Sequence, residues 1–97
     1  MRARYAVSVR TVAVSVAQER IDSIKAAASP AVYPNLVTLF NANTVTGFPG
    51  YPNMTRTTTA VRRTANSPKK DYTVITVTVT EPTMGAAVNL TNTVAAP

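Results

Sequence analysis

The sequence predicts an α+β domain, one long N-terminal helix packed on a small antiparallel β-sheet meander of about three to four strands. Three observations predict it. Ala13, Ala17, Ile21, Ile24 and Ala28 recur at steps of three and four, the spacing of one helical face. Tyr72 to Thr80 alternates, with Ile75, Val77 and Val79 on one side and threonines on the other. Between and after these stretches, prolines and polar turn residues cut the chain into short pieces.

The helical segment is read over residues 1–29, its body running from about Ala3 to Ala28. Gln18, Glu19, Asp22 and Lys25 lie off the apolar face and can stay in water. Ser29-Pro30 ends the helix, because proline lacks the amide donor and pushes the preceding residue out of helical space. Tyr5 to Val12 is rich in β-branched residues and could pass as a strand. Tyr5, Val9, Val12 and Val16 nevertheless keep helical spacing, and the alanine-rich continuation favours one helix.

Residues 30–53 read as a connecting region, bent by Pro30, Pro34, Pro49 and Pro52 with Gly47 and Gly50. Tyr33, Leu36, Val37, Leu39 and Phe40 are too apolar for a free linker, so a helical turn or extended piece laid over the core is expected there. Phe48 to Pro52 reads as a turn. Residues 54–97 then form the antiparallel sheet. Met54 to Thr64 is its first strand, with Thr57, Thr59 and Val61 on one face. Asn66 to Asp71 is a polar turn, Tyr72 to Thr80 the second strand, and Val88, Leu90 and Val94 mark the third. The expected sheet core is Val61, Ile75, Val77, Val79, Val88, Leu90 and Val94, with the threonine face left to water.

A chain of 97 residues makes a single domain, 1–97, that buries roughly 60–65% of its unfolded surface. It holds no cysteine and no histidine, which removes thiolate chemistry, disulfides and the commonest neutral-pH base and metal ligand. The carboxylates are Glu19, Asp22, Asp71 and Glu81. An inventory this thin points away from an enzyme, and no catalytic, cofactor-binding or metal-ligating residue is assigned. The net charge is +6, ten Lys and Arg against four acids. Arg62, Arg63, Lys69 and Lys70 form a candidate basic contact patch, which raises a nucleic acid as partner. The aromatic residues mostly avoid these cations, however, and a solvated basic surface is the plainer reading. No apolar run reaches the roughly 20 residues of a spanning helix, so the chain as written is expected to be soluble.

Ala17-Gln18-Glu19-Arg20-Ile21-Asp22-Ser23-Ile24-Lys25-Ala26 resembles the segment just after the membrane-spanning half of the helix in minor type IV pilins and type II secretion minor pseudopilins. Arg56 to Val61, Asp71 to Val79 and Val88 to Ala95 are similar, in order and spacing, to the C-terminal half of those proteins. There an alternating valine strand is followed by a turn and a closing strand. The resemblance covers residues 10–28 and 54–97. Family members begin with a leader, a glycine cleavage site and an apolar helix half, and none of these stands in this sequence. Met1-Arg2-Ala3-Arg4 reads as a start placed just after that half, or as the start of one chain of a split gene.

The resemblance implies a soluble head domain whose work is filament assembly or capping, with other pilin or pseudopilin subunits as partners. Ala13, Ala17, Ile21 and Ile24 would carry helix packing and assembly. Membrane contact would come only through the segment missing from this chain. The full-length protein would be extracytoplasmic, anchored in the inner membrane and then part of a periplasmic or surface filament. A small basic nucleic-acid-binding domain and a virion or adhesion structural module are the alternative readings.

Overall fold

A computed structural model describes residues 8–97. The chain forms helix α1 (Val9–Ala27), a 3₁₀ turn (Tyr33–Asn35), a short helix α2 (Leu36–Phe40) and four strands. The strands are β1 (Asn43–Phe48), β2 (Tyr51–Asn66), β3 (Lys69–Thr80) and β4 (Val88–Ala95), an antiparallel meander in the order β1-β2-β3-β4. The α+β class expected from the sequence is the class observed.

Among the described residues helix α1 begins at Val9. Ser8 sits in extended geometry, φ −66° and ψ 149°, and its Oγ accepts from the Thr11 amide at 3.1 Å. A serine that satisfies one of the free first-turn amides is a strong start signal, and it divides the β-branched run at Ser8. Val9 and Val12 join the helix and pack against the core. The expected start at Ala3 and the placement of Tyr5 lie outside the described residues. At the other end Ala28 closes α1, its amide bonded to the Lys25 carbonyl, and Ser29-Pro30 follows as expected.

The helix lies across β3 and β4. Ala13, Ala17, Ile21 and Ile24 face the sheet with at most 2% exposure, against Ile75, Val77, Val79, Val88 and Val94. Two alanines in the contact face let the helix backbone come close to the strands, while the isoleucines fill the space further along. Each fully buried Ile or Val contributes about 1.5–3 kcal/mol relative to leaving it in water. Tyr33 and Leu36, from the connecting region, and Met54 close the core at the side. The apolar residues of that region therefore do form a helical turn over the core.

The structure corrects two expectations for the sheet. Residues 30–53 are not only connection, since β1 and the first residues of β2 lie within them. Pro49 and Gly50 form the two-residue turn between Phe48 and Tyr51, with Gly50 at φ +82°, the residue pattern of a type II turn. Val61 is not a core residue: it is 44% exposed and pairs with Val74 on the outer face. The core face of β2 is instead Met54, Arg56, Thr58, Ala60 and Arg62, because Arg56, Thr58 and Ala60 stand opposite Val79, Val77 and Ile75. The alternation of β3 is strong enough to decide which side of β2 goes inward. Leu90, also expected in the core, is half-buried and packs against it.

The outer face carries threonines in register. Thr44, Thr57, Thr78 and Asn89 form one row across the sheet, and Thr59, Thr76 and Thr91 the next. Hydroxyls bond along these rows, Thr76 to Thr91 at 3.3 Å and Thr78 to Asn89 at 2.7 Å.

The long β2–β3 hairpin outruns its neighbours. Strand β1 pairs with β2 no further than Thr58, and β4 pairs with β3 only as far as Tyr72. Beyond that level two strands continue alone to Asn66 and Lys69, with residues 61–70 all exposed. This arm contributes to an elongated shape of 62 × 23 × 23 Å.

Candidate functional site

The helix-face residues Ala13, Ala17, Ile21 and Ile24 are wholly taken up by the sheet of the same chain. What α1 turns outward is Thr11, Val14, Ser15, Gln18, Glu19 and Asp22, which line a shallow open depression. Val14 is 41% exposed there, the apolar residue of an otherwise polar face.

The basic quartet divides between the two faces of the arm. Arg62 stands opposite Thr73 on the inner face, and Lys69 lies two pairs further out on that side. Arg63 pairs with Tyr72 and Lys70 with Ala65, both on the outer face. Successive residues of a strand point to opposite sides, so neighbours in sequence become neighbours in space only through the edge. The arrangement offers two cations per face in place of one continuous track.

One of the four is also engaged. Arg62 donates to Asp71 through Nε at 2.9 Å and through Nη2 at 2.6 Å, a fork-to-fork pair. The Tyr33 hydroxyl donates to the same carboxylate at 2.9 Å, and the Arg62 guanidinium lies 5.2 Å from the Tyr33 ring centre. The Asp71 carbonyl accepts from the Ala96 amide at 3.0 Å. Asp71 therefore joins the 3₁₀ turn, β2, β3 and the segment after β4 at the root of the arm. Hydrogen bonds from Arg62 hold its carboxyl below the usual carboxylate range. Burial, with the Asp71 charge beside it, pushes the Tyr33 phenol up.

A second basic constellation was not legible as a site in the sequence. Arg20, from α1, reaches over β2 and β1, with Nε 3.4 Å from Thr58 Oγ1 and Nη2 3.2 Å from Asn43 Oδ1. Its guanidinium lies 5.1 Å from the Phe40 ring centre. Arg56, on the core face of β2, has its guanidinium 5.3 Å from the Phe48 ring centre. Its Nε is buried without a hydrogen-bond partner among the described residues. Burial, and next the charge of Arg20, lowers the affinity of Arg56 for its proton. The signal that could have found this pair is the parity of β2. Once Ile75, Val77 and Val79 face the helix, Arg56 must do so too.

Among the described residues no group of three or more His, Cys, Asp or Glu side chains is placed to hold a metal ion. No described helix is long and apolar enough to cross a membrane. Comparison of the chain with protein-family models, characterised proteins and solved structures found no match in any of the three.

Proposed function

We propose that the chain is a non-enzymatic structural subunit, the head domain of a minor pilin or pseudopilin that takes part in assembling or capping a filament. One observation carries this reading. The four stretches that resemble the family, Ala17 to Ala26, Arg56 to Val61, Asp71 to Val79 and Val88 to Ala95, lie in α1, β2, β3 and β4, elements that all contribute to the core. A stem helix that spends its apolar face on its own sheet holds the head rigidly and leaves its polar outward face for neighbouring subunits. The partners are other subunits of the same class, and the location is extracytoplasmic.

Expression of the gene with its own flanking DNA tests this, using an antibody raised against the domain. Recovery of the antigen in sheared filaments, together with other subunits, is expected. Recovery only as free protein, with no other subunit attached, would overturn the reading.

A further inference from the structure

We propose that the Arg20–Arg56 pair is a binding site for a carboxylate, carried on an acidic side chain of a protein partner. The inference goes beyond the filament reading and does not depend on it.

Arg20 and Arg56 are two like charges near enough to act on each other, and neither is in an ion pair among the described residues. The chain has four carboxylates. Asp71 is held by Arg62 and Tyr33, Asp22 accepts from Gln18 at 2.9 Å, and Glu81 accepts from the Thr83 amide at 2.7 Å. Glu19 lies near enough for its charge to favour the protonated Arg56, yet among the described residues it forms no ion pair with it. Arg62–Asp71 is the one ion pair among the described residues. Arg20 and Arg56 are left with neutral oxygens and phenyl rings.

The surroundings fix how those charges are presented. Each guanidinium has a phenyl ring at stacking range, Phe40 for Arg20 and Phe48 for Arg56. Thr58, which accepts from Arg20, is fully buried, so Arg20 is anchored on the core. Arg56 is half-buried, and its Nε is buried with no hydrogen-bond partner among the described residues, which leaves part of the guanidinium without compensation. The in-plane N–H edge of a guanidinium matches a carboxylate fork.

The neighbouring side chains choose between oxyanions. Phe40, Phe48 and Val45, which pairs with Arg56 across the strands, are apolar. A carboxylate on a methylene stem satisfies the charges and these apolar neighbours together. A free phosphate, hydrated on all sides, satisfies the charge alone.

Arginine side-chain Nε–H signals report the site directly by NMR. The probe is glutarate, compared with inorganic phosphate and chloride at matched ionic strength. With glutarate the Arg20 and Arg56 signals should shift saturably while those of exposed Arg10 and Arg63 stay in place. At about ten times its dissociation constant, glutarate should raise the melting temperature by about 5 °C or more. Arg56→Met and, separately, Arg20→Met should abolish the shift and the stabilisation. In chloride Arg56→Met should melt no lower than wild type, since it removes an uncompensated charge. Shifts of Arg20 and Arg56 that merely follow Arg10 and Arg63 would overturn the proposal. So would a larger response to phosphate than to glutarate, or a full glutarate response in both Met variants.

Discussion

The Tyr33 hydroxyl donates to the Asp71 carboxylate across 2.9 Å, linking the 3₁₀ turn after α1 to the first residues of β3. Arg62 holds the same carboxylate from β2. The two partners set opposite pH limits. The Asp71 carboxyl has a lowered folded-state value, so its contribution is complete above the unfolded value near about 4 and is lost as pH falls through the folded one. The Tyr33 phenol has a raised value, so its contribution is complete below about 10 and is lost as pH rises through the folded one. Melting temperature followed across this range should fall at both ends. Asp71→Asn should flatten the acid limb and Tyr33→Phe the alkaline limb, and an Asp71→Asn protein with an unchanged acid limb would refute the assignment.

Thr73 is fully buried on the core face of β3, and its hydroxyl, beside the Tyr33 phenol, makes no hydrogen bond of normal geometry among the described residues. Valine has the same shape and leaves no polar atom to satisfy. Thr73→Val should raise the unfolding free energy by about 1 kcal/mol, read as a higher urea midpoint at constant slope. A lower midpoint would mean that the hydroxyl is bonded after all.

Ile24 and Val14 lie about 80° apart around α1, Ile24 on the buried face and Val14 at its flank. Ile24 is completely buried against the sheet, and Val14 is 41% exposed. Ile24→Ala should cost about 2–4 kcal/mol through lost burial and the cavity left behind. Val14→Ser should stay within about 0.5 kcal/mol. Chemical denaturation separates the two, and equal losses would contradict the helix orientation.

Val61 and Val77 give the same contrast in the sheet. Val61 pairs with Val74 on the wet face, while Val77 is fully buried opposite Thr58. Val61→Thr should be nearly neutral, within about 0.5 kcal/mol. Val77→Ala should cost about 2 kcal/mol. A reversed order would restore the inward placement of Val61 that hydrophobicity alone suggests.

Ser8 supplies the remaining test. Ser8→Ala removes the acceptor for the Thr11 amide and should cost about 1 kcal/mol, with loss of exchange protection confined to the first turn of α1. Unchanged protection there would show that the helix is continuous through this position.

What could be read in advance followed the strength of each local pattern. Ala13, Ala17, Ile21 and Ile24 keep one period through a helix-forming stretch, and Ile75, Val77 and Val79 alternate without a break. Both faces were legible. Strand β2 was misread because its inward positions hold Arg56, Thr58 and Arg62, so polarity points the wrong way and only the register with β3 corrects it. Strand β1 has few apolar residues beside Gly47, an edge strand with little local signal. The surroundings of Arg20 and Arg56 join residues far apart in sequence through α1, α2, β1 and β2, so no local motif announces them.

The arm formed by β2 and β3 also has a mechanical side. A body 62 Å long and 23 Å across, tapering to two strands, is a lever whose load arm ends at Ser67 and Pro68. A sideways push at Lys69 reaches the body as a torque about the level of Arg62 and Tyr72. The first fastening across that pivot is the Arg62–Asp71 fork, with Tyr33 bolting it to the turn beneath. Beside the unbroken ladder of β2 and β3, one carboxylate is therefore the side-chain brace between the projection and the turn beneath it.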